Sequence, residues 1–66
     1  MRVYLNTDVI ILMMYHQELN MTNLADRAGY ARAYLGKVIR SGESTEDMAE
    51  KIAGVLGLSY EAVCCR

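Results

Sequence analysis

A chain of 66 residues forms at most one small domain, near the lower size limit for folding alone, so stabilisation by a partner such as a second copy is expected. Its 53% of hydrophobic residues excludes an intrinsically disordered chain, and the absence of proline favours helix. The formal net charge of −1 does not by itself indicate a nucleic-acid partner.

The charged residues are unevenly distributed along the chain. Residues 27–42 contain bases and no acid: Arg27, Arg32, Lys37 and Arg40. Residues 43–50 contain acids and no base: Glu43, Glu46, Asp47 and Glu50. A basic face beside an acidic one is what DNA binding by a small, nearly neutral domain requires, although two ordinary solvated helix faces would give the same pattern.

Cysteine usage and hydropathy indicate the compartment. Cys64 and Cys65 are adjacent, a spacing that disfavours a bridge between them and does not form the framework of a secreted disulfide-rich domain. The apolar run at residues 9–15 is too short to cross a bilayer and lacks a signal-peptide cleavage site. The sequence therefore predicts a cytoplasmic protein without a membrane partner.

The predicted elements begin with a short strand or extended arm at residues 1–5, where β-branched and aromatic residues are frequent. Asn6, Thr7 and Asp8 then suit the start of a first helix over residues 7–18. Apolar residues cover nearly the whole circumference of this helix, which is more than one core-facing side needs. Something besides the domain's own core is therefore expected to cover part of it.

Two short helices joined by a tight turn are predicted next. Asn20 is the N-cap of the first, which carries residues 22–28 and ends at Gly29, because glycine adopts positive φ without steric cost. The second covers about residues 31–40, and residues 41–42 close it. The side chains predicted to face the core are Leu24, Ala25, Ala28, Leu35, Val38 and Ile39. A steep crossing of two such helices is the helix-turn-helix geometry, which offers its second helix to the DNA major groove.

Two further helices complete the prediction. Ser44 and Asp47 match a capping box at the start of a fourth helix, which ends at Gly57. Its apolar stripe consists of Met48, Ala49, Ile52, Ala53, Val55 and Leu56. Ser59 begins a short fifth helix. The sequence thus predicts an all-α fold, in which residues 1–66 form one compact bundle of about five short helices.

Several motifs in order resemble the Cro/cI-type, or XRE-type, helix-turn-helix family over about residues 10–63. They are LADRAG, Tyr30 in the turn, an Arg-x-Tyr-Leu helix and the later KIAGVLGLS. The resemblance implies a lambda-repressor-like fold and a DNA-binding transcriptional regulator of phage or bacterial origin, more often a repressor, that binds as a dimer. The pairing surface is left open between the arm with the first helix and the fifth helix with Cys64 and Cys65.

Base edges are read by side chains near the start of such a recognition helix and one turn later. The candidates for base contacts are Ala31, Arg32, Ala33, Gly36 and Lys37. Arg32 is the strongest because its guanidinium matches the two acceptors of guanine, with a phosphate contact as the alternative. Lys37 fits a base or a phosphate. The alanines either place methyl groups against thymine or simply favour helix, and Gly36 indicates close approach of DNA or of a neighbouring helix.

The candidates for phosphate contacts are Asn20, Thr22, Tyr34 and Arg40. Asn20 and Thr22 lie at a helix start, where backbone N–H groups and the helix dipole attract phosphate. Tyr34 could direct its hydroxyl to a phosphate or pack in the core, and Arg40 resembles a family position that contacts phosphate.

The chain departs from the family pattern at several positions. Met21 replaces a glutamine that often joins the phosphate contact, Met14 replaces a commonly basic residue, Glu46 replaces an apolar one, and the loop after Ser41 is shorter. These departures weaken the expected phosphate contacts rather than the fold. The missing glutamine, the acidic balance and the apolar first helix together support an alternative. In that alternative the fold binds a protein partner through the first helix, as an antitoxin, anti-repressor or inhibitor does.

An enzyme is not predicted. His16 is the one histidine, and it lies on an apolar helix without a glycine-rich phosphate loop or nucleophile elbow elsewhere in the chain. Cys64, Cys65 and His16 lack the usual spacing of zinc ligands. We therefore expect neither a metal nor a cofactor.

Overall fold

The computed structural model of the protein describes residues 2–64. The elements in chain order are β1 (Arg2–Tyr4), α1 (Thr7–His16), α2 (Met21–Ala28), α3 (Arg32–Ser41), β2 (Glu43–Thr45), α4 (Glu46–Leu56) and α5 (Tyr60–Val63). The helices surround one core, and the two strands form an antiparallel pair beside it. The predicted five-helix fold with a short amino-terminal strand is therefore confirmed.

Each helix contributes a fully buried side chain to the core. These residues are Ile10, Leu24, Leu35, Ile52 and Val63. Fully burying one such side chain stabilises the fold by about 1.5–3 kcal/mol. The predicted stripe of α4 is also confirmed, since its members are buried except for the half-buried Val55.

Glycines end three of the helices, as expected from their conformational freedom. Gly29, Gly42 and Gly57 have φ values of 85°, 82° and 74° and stand at the ends of α2, α3 and α4. A side chain at any of these positions would be strained, because L-residues rarely adopt the left-handed region. The turn after α2 therefore depends on Gly29 for its sharpness.

The predicted capping box at the start of α4 is wrong. Thr45 is the N-cap, and its Oγ1 accepts a hydrogen bond from the Met48 N–H at 3.3 Å. Ser44 lies instead in β2, where it pairs with Val3 and is buried. Ser44 has a local sequence that favours capping, but strand pairing places it outside the helix cap. Asp47 therefore lies in the first turn of α4 without Ser44 as its capping partner.

Helix boundaries also differ from the prediction by one or two residues. The first helix ends at His16 rather than residue 18, because Gln17 turns to donate from its Nε2 to the Leu56 carbonyl at 2.8 Å and Glu18 takes a φ of 55°. The third helix begins at Arg32, with Ala31 as its extended N-cap. These shifts leave the predicted helix order intact.

The amino-terminal strand is attached to two distant parts of the chain. β1 pairs with β2 so that Tyr4 lies opposite Glu43, which places the strand beside the end of α3. The Leu5 N–H donates to the Gly42 carbonyl at 2.8 Å, and the Asn6 N–H donates to the Val63 carbonyl at 2.7 Å. These bonds fix the start of the chain against the α3–β2 junction.

Within residues 2–64, none of the helices combines the length and the hydropathy that crossing a membrane demands.

Candidate nucleic-acid interface

The pair α2–α3 is joined by a turn that is closed by backbone hydrogen bonds. The N–H groups of Gly29 and Tyr30 both donate to the Ala25 carbonyl at 2.9 Å. The inward faces consist of the residues predicted for them, namely Leu24, Ala25 and Ala28 in α2 and Leu35, Val38 and Ile39 in α3. Burial of this one side fixes which side of α3 faces solvent.

The outer face of α3 carries most of the residues predicted to contact bases. Ala31, Arg32, Ala33 and Lys37 are exposed, and Gly36 is half-buried. Within the described part of the chain, none of the three basic residues of α3 is paired with an acid. Unpaired guanidinium and ammonium groups remain available to an external anion, so this face is suited to a polyanion such as DNA.

A groove of about 570 Å³ runs along one side of α3, between that helix and the starts of α1 and α2. We call it the α1-side groove, and its lining includes Thr7, Ile11, Met21, Arg32, Gly36 and Arg40. Apolar side chains form much of the lining, and two arginines contribute to it from α3. Met21, which replaces the expected glutamine, is half-buried and packs into this groove.

Gly36 is not required by a neighbouring helix backbone. A Cβ placed there would have Met21 Cγ as its nearest neighbour, at 4.0 Å, which is ordinary van der Waals contact. The alternative that Gly36 admits a second helix is therefore wrong. Close approach of DNA remains as the predicted reason for a glycine at this half-buried helix position.

A second groove of about 410 Å³ lies on the other side of α3, against the two strands. We call it the sheet-side groove, and its lining includes Arg2, Tyr34, Lys37, Ser41, Glu43 and Thr45. Arg2 Nη1 donates to Glu43 Oε1 at 2.7 Å, and the two side chains are 73% and 42% exposed. The sequence analysis did not select Arg2, because its proximity to α3 depends on pairing between distant strands.

Tyr34 is exposed rather than packed in the core, with 53% of its surface accessible. Its ring lies 6.2 Å from the ring of Tyr30, measured between centroids, at an interplanar angle of 55°. Lys51 Nζ in turn lies 5.5 Å from the Tyr30 centroid, a cation–π distance. These contacts support the Tyr34 ring at the edge of α3. Its exposure excludes the alternative that Tyr34 packs in the core.

The remaining phosphate candidates are also on the surface. Asn20 and Thr22 are exposed at the start of α2, and Arg40 is exposed in the last turn of α3. Asn20 Oδ1 already accepts the Asn23 N–H at 2.8 Å, so this cap uses one of the N–H groups at the helix start. The α3 start, after Ala31, has no side-chain cap.

The acidic residues that follow α3 in sequence have basic partners or lie near another helix. Glu43 pairs with Arg2, and Asp47 Oδ2 lies 3.7 Å from Lys51 Nζ. Partial burial raises the pKa of Tyr60 to about 12, and a hydrogen bond with Cys64 and the nearby Glu46 carboxylate act in the same direction. Glu46, a departure from the family pattern, therefore lies near α5.

The first helix leaves apolar side chains exposed, as its composition predicts. Ile11, Leu12 and Tyr15 have 53%, 55% and 81% of their surfaces accessible, whereas Ile10 and Met14 are buried. The burial of Met14 in the core accounts for an apolar residue where a base is common. Ile11 also lines the α1-side groove, so the exposed apolar surface reaches the side of α3.

The residues considered for metal binding are not brought together. Within residues 2–64, no group of three or more His, Cys, Asp and Glu side chains is arranged to hold a metal ion. His16 is exposed at the end of α1, and Cys64 is a half-buried free thiol. The predictions for the Cys64–Cys65 pair involve Cys65, which lies outside the described residues.

Two helices are joined by a sharp glycine turn, and the second exposes basic side chains that no acid of the described residues pairs with. These features define a helix-turn-helix protein. A family model described as helix-turn-helix matches residues 12–63, most of the chain. The protein therefore belongs to the Cro/cI-type (XRE) helix-turn-helix family, whose members are DNA-binding regulators and typically not enzymes. Comparisons with curated proteins and with solved structures gave no significant match.

Proposed function

We propose that this protein is a sequence-specific transcriptional repressor that inserts α3 into the major groove of double-stranded DNA in the cytoplasm of a bacterium. The observation that carries the proposal is the composition of α3. Leu35, Val38 and Ile39 anchor the helix in the core, while its opposite face offers basic residues that no acid of the described chain neutralises. Repression would follow from occupying DNA that polymerase needs.

The proposed base contacts are made from the start of α3 and from its next turn. Arg32 donates to guanine, a contact worth about 1–3 kcal/mol of discrimination. Ala31 and Ala33 allow close approach and offer methyl groups to thymine, and Gly36 leaves room for the duplex. Lys37 extends the same face toward a base or a flanking phosphate.

The proposed phosphate contacts lie to either side of these residues. Asn20 and Thr22 present the start of α2, where the helix dipole and backbone N–H groups attract an anion. Arg40 and the Tyr34 hydroxyl contribute from α3. Such contacts hold the duplex in register and are independent of sequence.

The protein is further proposed to act as a homodimer through α1. The exposed Ile11, Leu12 and Tyr15 support this surface over α5, whose Val63 is fully buried. A dimer would combine two half-site readings one DNA turn apart. Sedimentation velocity should show a dimer for the unaltered chain and a monomer for Leu12→Ser/Tyr15→Ser, and a monomeric unaltered chain would contradict the pairing.

The experiment that tests sequence-specific binding is selection of bound duplexes from random DNA, repeated with Arg32→Ala. A common motif should emerge for the unaltered chain, and one guanine position in it should become tolerant in the variant. Arg27→Ala is the matched control, since Arg27 is an exposed arginine on α2 that lies outside both grooves. An Arg32→Ala motif identical to that of the unaltered chain would remove Arg32 from base reading.

A second function is favoured by the same exposed apolar residues on α1. In this alternative, α1 binds another protein and the fold serves as an antitoxin, anti-repressor or inhibitor. A salt titration separates the two functions, because phosphate contacts lose affinity steeply as salt rises. The absence of binding to any duplex at low salt would favour the protein-binding module.

A further inference from the structure

We propose that Arg2, on the amino-terminal strand, binds a backbone phosphate of the DNA, and that Glu43 is the intramolecular anion which competes for it. The inference rests on the proposed DNA-binding function and adds a site that lies outside the helix-turn-helix unit. The site is the sheet-side groove, where Arg2 and Glu43 on the strands meet Lys37 and Tyr34 on α3.

The position of this groove relative to α3 determines what would enter it. A helix in the major groove has a sugar–phosphate backbone on each side, because the groove is only about 12 Å wide. On the sheet side of α3, that backbone would pass β1 and β2. Lys37 and Arg2 line this path from its two walls, so a phosphate between them would meet two cations.

The groove also contains a carboxylate that a phosphate would have to displace. Arg2 Nη1 and Glu43 Oε1 are 2.7 Å apart, and strand register holds the pair, since Tyr4 lies opposite Glu43 and Arg2 lies opposite Thr45. Exposed ion pairs of this kind contribute little to stability, so the guanidinium is readily exchanged from carboxylate to phosphate. The two non-bridging oxygens of a backbone phosphate accept from the guanidinium fork in the same bidentate way as a carboxylate does.

Glu43 therefore lowers DNA affinity in two ways. It must give up its bond to Arg2 when the phosphate arrives, and its own charge repels that phosphate. Removing the carboxylate while keeping the side-chain shape, as in Glu43→Gln, should strengthen binding. Removing the guanidinium charge, as in Arg2→Gln, should weaken it equally for all sequences, because phosphate contacts carry no base information.

The test measures the affinity for a selected duplex by fluorescence anisotropy across about 50–200 mM salt. Arg2→Gln should bind several-fold more weakly at low salt, and the slope of log affinity against log salt should fall in magnitude by about 0.9, one phosphate contact. Glu43→Gln should bind several-fold more tightly. Arg27→Gln removes a basic residue of the stretch 27–42 from outside both grooves, and it should weaken binding less than Arg2→Gln does.

Two results would overturn the proposal. One is an Arg2→Gln protein with the salt slope of the unaltered chain, and the other is weaker binding by Glu43→Gln. Thermal unfolding of each variant checks that β1 remains paired, and Glu43→Gln keeps the test independent of any loss of that strand. Failure of the unaltered chain to bind any duplex would instead contradict the proposed function itself, together with this site.

Discussion

The helices α1 and α3 are exposed to solvent in opposite chemical ways. Each buries one side in the same core, α1 through Ile10 and α3 through Leu35, and both of these side chains are fully buried. On their outer sides, α3 presents basic side chains without an acidic partner among the described residues, whereas α1 presents Ile11, Leu12 and Tyr15. The difference supports the two proposed kinds of partner, a polyanion for α3 and an apolar protein surface for α1.

The largest expected effect distinguishes the inner from the outer side of these helices. Leu35→Ala should lower the free energy of unfolding by about 2–5 kcal/mol, because it leaves a cavity where α3 joins the core. Leu12→Ala is the matched change on the exposed side of α1 and should alter that free energy by less than about 0.5 kcal/mol in the monomer. Urea denaturation at protein concentrations that keep the chain monomeric measures both, and equal losses would show that α1 is also buried on that side within the monomer.

The next effect distinguishes two arginines of α3. Arg32→Ala should weaken binding to the selected duplex by about 5- to 150-fold and leave binding to unrelated duplexes nearly unchanged. Arg40→Ala should weaken binding to both kinds of duplex by a similar factor, because a phosphate contact does not depend on base sequence. Titrations of both duplexes measure this difference, and sequence-dependent loss in Arg40→Ala would reverse the two roles.

A smaller effect at Gly36 separates the stability of the fold from its affinity for DNA. Gly36→Ala should raise stability by about 1 kcal/mol through helix propensity, since the nearest atom to the new Cβ is Met21 Cγ at 4.0 Å. The same variant should bind DNA more weakly because the added methyl group stands between α3 and the duplex. Thermal unfolding and anisotropy test the two parts, and unchanged DNA affinity would remove Gly36 from the interface.

The smallest effect concerns Tyr60 in α5, away from the outer faces of α1 and α3. The pKa of Tyr60 is raised to about 12, so the folded state holds this proton more tightly than the unfolded state does. Between about pH 10 and 12, loss of the Tyr60 proton lowers the free energy of the unfolded state more than that of the folded state. The free energy of unfolding should therefore fall as pH rises. Tyr60→Phe should show a shallower decline of melting temperature over this range, and parallel declines would contradict the shift.

Local sequence signals were sufficient for most of the fold. Asn20, Gly29 and Gly57 mark helix ends through conformations and hydrogen bonds that involve near neighbours, so these positions could be predicted. The inward side of α3 follows from the spacing of Leu35, Val38 and Ile39 in the same way.

Features that depend on contacts between distant residues could not be predicted. Ser44 has the local signal of a helix cap, but pairing with Val3 places it in a strand and leaves capping to Thr45. Arg2 reaches the side of α3 only because the same pairing brings it to Glu43. No short-range pattern identifies the partner of a three-residue strand.

The most direct test of the central claim is the change in backbone amide NMR signals when the selected duplex is added to the labelled protein. Our account predicts the largest changes in residues 31–40, with smaller ones at Asn20, Thr22 and Arg2, and little change at Leu12 and Tyr15. Changes concentrated at Leu12 and Tyr15, with residues 31–40 unaffected, would contradict the assignment of α3 as the DNA-binding surface.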